Sequence, residues 1–239
     1  MHSPAMLNDF VTSADIAPEV WDLRPDYRAM LLAVDGIQPG SGDASSEALL
    51  QAAEVSARAA LAQTAVEDLP HVAAWREAYR DFGAKPQRTR NSLEAVLPRA
   101  EAGLPRVNRL TDIYNAISIS HQIPLGGEDL NRHAGPPRLV RATGAESFDT
   151  TSEGAEVIEH PEPGEVVWCD DAGVTCRRRN WRQARRTQLH EGTTAALFII
   201  DVLDPVTDEE LAVATDELIG LLRALGTDVQ VAQRLIRAG

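Results

Sequence analysis

The chain has 239 residues, 44% of them hydrophobic and 25% charged, and a net charge of −13 at pH 7. That is the make-up of an ordinary water-soluble globular protein with room for one large domain or two small ones. Such acidity excludes a protein that holds nucleic acid through a general basic surface, so any contact of that kind has to be local.

In chain order, the first strand is expected at the apolar run Met30–Val34. The Gly- and Ser-rich stretch 36–47 reads as a loop, followed by a helix from about Ser46 to Ala65 capped by Ser45 or Ser46. A second helix is predicted from about Pro70 to Phe82. Its Trp75, Tyr79 and Phe82 fall at i, i+4 and i+7 and form one apolar stripe facing the core. Asn91 to Glu94 has the form of a capping box before a short helix that reaches about Glu101. A fourth helix runs from about Thr111 to Gln122. Leu110, Ile113, Tyr114, Ile117 and His121 form its main stripe, and Asp112, Asn115 and Ile119 lie on the opposite side. PLGGEDL (124–130) reads as a glycine-containing loop.

From Arg138 onward the pattern is mostly strand: RLVRA (138–142), EVI (156–158) and EVVWC (165–169), then a turn at 170–173 and a returning VTC (174–176). AALFII (195–200) has the uninterrupted apolar character of a central strand. Thr207 to Glu210 is a capping box opening a helix with Leu211, Ala214, Leu218, Leu221, Leu222 and Leu225 on one side, and a last short helix is expected from about Asp228. With no internal repeat and no long linker, these elements predict one α+β domain over 1–239. Its parts are a mainly helical 1–105, a mainly strand core 106–204, and C-terminal helices in 205–239.

No run of about 18 apolar residues is present, so no membrane span is expected. MHSPAMLNDF lacks the charged and apolar regions of a secretory signal. Cys169 and Cys176 fit no zinc-site spacing, and a hairpin closed by 170–173 would set them opposite Val174 and Val167, not each other. Reduced thiols, a cytoplasmic setting, and no metal or cofactor are expected.

The most unusual stretch is RRRNWRQARR (177–186), six arginines in ten residues around Trp181. Arginine presents a planar fork of donors suited to phosphate and carboxylate, and a tryptophan among arginines suits a base or phosphate contact. The other reading is a basic face answered by acidic neighbours such as Glu162, Glu165 or Asp170. Since 22 of the 23 basic residues are arginine, the choice of arginine over lysine carries no weight.

RLTDIYNAISISHQIPLGGEDL (109–130) resembles a segment of the β subunit of bacterial phenylalanyl-tRNA synthetase, where a Val-Asp-x-x-Asn helix leads into a Gln-Pro-Met-His loop in the B3/B4 domain. RRNWR (178–182) resembles the Arg-x-Trp-Asn-Trp-Arg type of motif that precedes a Thr-rich turn and a final strand in freestanding B3/B4-type proteins. The similarity extends from WREAYRDFG (75–83) through NSLEAVLPR (91–99) to IID (199–201). The resemblance implies a barrel-like sheet with a small α/β part and flanking helices. It also implies the editing site of the synthetase, which hydrolyses tyrosine wrongly attached to phenylalanine tRNA. Asp112 and Asn115 stand where that family has its Asp and Asn. The family histidine is replaced by Gly126, its later Gly-Gly turn by the arginine block, and a glutamate aligns with Gln188.

Ester hydrolysis needs a grip on the tRNA end, a grip on the amino acid and a positioned water. On the resemblance, the substrate-binding candidates are Asp112, Asn115, Gly126, Gly127, Glu146, Thr187 and Thr193, with Glu128 and Asp129 as further carboxylates for an ammonium group. Asp112 and Asn115 are expected to be at least half buried and to line one pocket with Gly126, Gly127 and the surroundings of Thr193. Arg178, Arg179, Trp181, Arg182, Arg185 and Arg186 are the nucleic-acid-binding candidates. No Ser/His/Asp or Cys/His triad is evident, and His121 on its apolar stripe reads as a packed histidine, so no catalytic residue is assigned. Three functions stand: a trans-editing deacylase of mischarged tRNA, a tRNA or aminoacyl-tRNA binding module, and a small-molecule binder or enzyme that reuses the pocket for an amino-acid-like or anionic ligand. No DNA and no membrane partner is expected.

Overall fold

The computed structural model describes residues 2–239. The two apolar runs read as strands at 30–34 and 195–200 are β2 (Arg28–Asp35) and β10 (Ala195–Val202), paired antiparallel over their full lengths. β10 also pairs with β3 (Leu125–Asp129), and β2 with the terminal β11 (Gln230–Arg237), giving a sheet of order β11-β2-β10-β3. Every residue of β10 is buried, which is why its sequence shows no alternation.

One face of this sheet, with Leu31, Leu197 and Ile199, packs on α1 (Pro4–Thr12), α2 (Pro18–Leu23) and α4 (Pro70–Asp81), and on Leu139, Val166 and Trp168 of a second sheet. The opposite face, with Leu32, Phe198 and Ile200, packs on α6 (Arg109–His121) and α7 (Asp208–Arg223). A third cluster joins α3 (Ala44–Leu61), α5 (Ser92–Val96) and the outer side of α6. The second sheet has the order β1 (Asp15–Ile16), β4 (Arg138–Arg141), β7 (Val166–Asp170), β8 (Gly173–Arg177), β9 (Arg182–Gln183), and β5 (Phe148–Ser152) forms a separate hairpin with β6 (Ala155–Glu159). The class is α+β; among the described residues no sheet closes into a barrel, and no helix is long and apolar enough to cross a membrane.

Several local expectations change. The 124–130 segment is strand β3, because its backbone is needed to pair with β10. Gly127 sits opposite Phe198, where an added Cβ would come within 2.9 Å of that ring and 2.7 Å of Leu189. The chain ends in β11, not a helix, so 205–239 is not wholly helical. Val231 and Leu235 fit either period, and the open edge of β2 decides for strand. α1 and α2, unread in the sequence, begin at Pro4 behind the Ser3 cap and at Pro18. The cap of α3 is Asp43, which accepts from the backbone N–H groups of Ser45 and Ser46. The Asn91 box is half made: Asn91 accepts from the Glu94 backbone, but the Glu94 side chain turns to Arg76. His121 pairs with Glu217 of α7 at 2.7 Å. A bulge between Trp168 and Cys169 leaves Cys169 opposite Val174 as expected but sets Cys176 opposite Trp168; both cysteines are free.

Candidate functional site

Between the two sheets lies a cavity of about 160 Å³. Its walls come from Tyr114 and Asn115 of α6, Leu125, Gly126 and Glu128 of β3, Trp168 of β7, Cys176 of β8 and Ile199 and Asp201 of β10. The turn carrying Arg179, Asn180 and Trp181 closes it.

That turn is the arginine block seen from inside. Arg178 and Arg179 both take left-handed backbone conformations, with φ +51° and +64°. Non-glycine residues pay about 1–2 kcal/mol each to do so, and the surroundings hold them there. The Arg179 N–H donates to Val166, Tyr79 of α4 donates its O–H to the Asn180 side chain at 2.8 Å, and the Ser92 N–H donates to the Asn180 carbonyl at 2.9 Å.

Most side chains of the block, the expected nucleic-acid contact, are engaged by acidic neighbours within the fold. Arg177 is buried and doubly hydrogen-bonded to Glu165 at 2.8 Å, with Glu159 at 3.0 Å. Arg178 reaches Glu165 and Thr89 and lies 4.4 Å over the Trp181 ring. Arg182 reaches Glu159 and Thr150; Arg185 reaches Asp149 and Glu156; Arg186 clasps Asp170. The acids come from other strands, so no acid needs to interrupt the run in sequence. Trp181 has three arginines over its ring and one side on the cavity.

Arg179 is the exception. It is 1% exposed and lines the cavity, and all three of its guanidinium nitrogens are buried without a hydrogen-bond partner. Its guanidinium lies over the rings of Tyr27 and Trp75, at 4.8 and 5.7 Å from their centroids. Burial pulls its pKa down, against the pull of nearby Tyr27 and Asp201.

Two carboxylates also line the cavity. Asp201 is 2% exposed and accepts from the Tyr27 O–H at 2.5 Å. Burial pushes its carboxyl from 3.8 up to about 6, with Tyr27 and Arg179 pulling the other way. Glu128, also buried, has its Oε2 2.8 Å from Nε2 of His133, whose Nδ1 lies 3.7 Å from Asp170. Cys176 is no nucleophile here, since burial holds its thiol well above its usual pKa.

The raised Asp201 value has a stability consequence. Between pH 3.8 and about 6 the folded state binds more protons than the unfolded chain, so stability falls as pH rises through that window. The full loss is roughly 3 kcal/mol. Asp201→Asn keeps the acceptor for Tyr27 and removes the titration. Urea unfolding of both proteins from pH 4 to 7 should show the wild type losing ground to the variant as pH rises; a constant difference would mean that Asp201 titrates normally.

The sequence-derived candidates do not all converge. Asn115 and Gly126 line the cavity, and nothing lies within 4 Å of an added Gly126 Cβ. Asp112 sits in the first turn of α6, accepts from the Val107 N–H at 2.9 Å and faces a separate surface hollow with Gly42 and Arg106. At i and i+3 the two share a side of α6, yet Asn115 borders the cavity and Asp112 the surface hollow. Gly127 is packed under Leu189, and its carbonyl accepts from Gln183. Thr193 donates to Asp129 at 3.0 Å and braces the loop before β10. Thr187 is fully buried outside the cavity lining. Glu146 is remote and caps the Thr143 and Gly144 amides; burial raises its pKa, but these donors hold it below the usual range. Asp201 was missed although it carried a signal, an acid ending an otherwise wholly apolar strand.

A family model of the B3/4 domain matches residues 74–227, more than half of the chain. The chain belongs to the B3/4 domain family. The matched stretch of this B3/4 domain holds every wall of the cavity named above, while β2, Tyr27 and β11 lie outside it. Among solved structures the chain is similar to the N-terminal fragment of the phenylalanyl-tRNA synthetase β subunit from Pyrococcus horikoshii, with TM-score 0.46 and 10% identity over 94% of its length. It spans 54%, about half, of that chain. No curated protein matches it.

Proposed function

We propose that this B3/4 domain binds an amino-acid-like small molecule in the cavity between its sheets. The observation that carries the reading is the presence of opposite charges, Arg179 with Asp201 and Glu128, in the lining of one apolar, aromatic cavity. Carboxylates answer an ammonium group, and Trp168, Trp181, Leu125 and Ile199 offer surface to a side chain.

Calorimetry with L-leucine and L-phenylalanine, their methyl esters and the matching amines tests this. At least one class should bind the wild type and lose binding in Gly126→Phe, which fills the open space beside Gly126 without touching a charge. No binding by any of the three classes sinks the reading.

The family match supports a second reading, an aminoacyl-tRNA-binding protein that removes a wrong amino acid from tRNA in trans. In that reading hydrolysis rests on positioning and electrostatics. The exposed Lys85, Arg88 and Arg90 lie next to Thr89 and Ser92, beside the turn that closes the cavity, and would meet phosphates. In that case tRNA affinity falls with salt by a log–log slope of roughly −0.7 to −0.9 per phosphate contact, and mischarged tRNA loses its ester. Absence of tRNA binding at low salt removes this second reading and leaves the first.

A further inference from the structure

Among the cavity's buried polar atoms without a hydrogen-bond partner, which include Ser92 Oγ, Glu128 Oε2, Trp168 Nε1 and Asn180 Nδ2, Arg179 is the residue with a whole charged group left unused. Arg177 and Arg179 are two residues apart in the same block and both are buried, yet they are treated differently. Arg177 has its guanidinium edge filled by Glu165 and Glu159. Arg179 has no partner on any nitrogen. Its guanidinium carbon lies over the rings of Tyr27 and Trp75, and none of its N–H groups has an acceptor. A buried donor set without partners is costly, and a buried guanidinium more so. A side chain kept for stability alone would be satisfied as Arg177 is, or replaced by an apolar one.

From this we infer that Arg179 is the binding group for a free carboxylate, so that the ligand of the cavity is a small ammonium carboxylate whose acid group is not esterified. The inference rests on the amino-acid reading above and sharpens it. A carboxylate matches the guanidinium fork with two parallel N–H···O bonds and carries the charge that Arg179 lacks. An ester offers only a neutral carbonyl to the fork, without the charge-assisted pair of bonds that a carboxylate makes. The ligand's ammonium group goes to the carboxylates of the lining, Glu128 and Asp201, and its side chain to Trp168, Ile199 and the space beside Gly126. Asp201 does not make Arg179 redundant as an anion site: it takes the Tyr27 O–H, and the arginine N–H groups stay free.

The test compares L-leucine and L-phenylalanine with their methyl esters and with isoamylamine and phenethylamine, by calorimetry on the wild type, Arg179→Met and Arg179→Lys. Arg179→Met keeps the stem over Tyr27 and Trp75 and removes the charge; thermal melting checks that each variant is folded. Free acids should bind the wild type at least tenfold more tightly than the esters and the amines. In Arg179→Met that preference should vanish, and Arg179→Lys should retain part of it, since lysine is a point charge without the fork. If Arg179→Met does not fold, the wild-type ratio and Arg179→Lys decide alone. Esters or amines binding as well as the acids, or a preference that survives Arg179→Met, overturns the inference while leaving an amino-acid-like ligand in place. A wild type that binds none of the six compounds overturns both.

Discussion

Replacing Trp75 by alanine should lower the stability of this B3/4 domain by about 3–5 kcal/mol. Trp75 is fully buried and meets Tyr27 and Tyr79 edge to face, with ring centroids 6.2 and 6.4 Å apart. Its indole N–H donates to Nε2 of His71 at 3.1 Å, and it lies under Arg179. His71 is itself a neutral connector: burial pulls its pKa down to about 4, and it also accepts from the Leu203 N–H. Alanine at 75 therefore opens a void and removes a ring from beneath a buried cation at once. The check is the urea midpoint and slope of Trp75→Ala against wild type. An unchanged midpoint would place the aromatic stripe on the surface and not in the core.

Two arginines of one block should separate by several kcal/mol. Arg177→Ala leaves Glu165, 2% exposed, without the partner that doubly bonds it, and breaking such a buried pair costs about 3–5 kcal/mol. Arg185 is 40% exposed and pairs with Asp149 and with Glu156, which is 70% exposed, so Arg185→Ala should cost about 0–1 kcal/mol. Removing both partners with Arg177→Met and Glu165→Leu should recover most of the first loss, because no charge is then left buried alone. Equilibrium unfolding of the three variants against wild type decides this; equal small losses for Arg177→Ala and Arg185→Ala would make the whole block a solvated face.

How far the sequence alone reaches depends on whether a residue's role is local. Met30–Val34 and Ala195–Ile200 were legible as strands because burial on both faces demands unbroken apolar runs, and α4, α6 and α7 because one-sided burial imposes a period of 3.6. The Thr207 capping box was legible because its hydrogen bonds close within four residues. The 124–130 segment and the C-terminal 230–237 were misread, since both are strands only by virtue of a distant edge that pairs with them. The same distinction runs through the site. The sequence pointed to the helix of Asn115, to Gly126 and to the arginine block as its parts. It could not say that five of those six arginines would find acids in other segments while Arg179 turned inward to line the cavity. A charge's partner is fixed by distances of a few ångströms between segments tens of residues apart, and only the packed sheets set those distances.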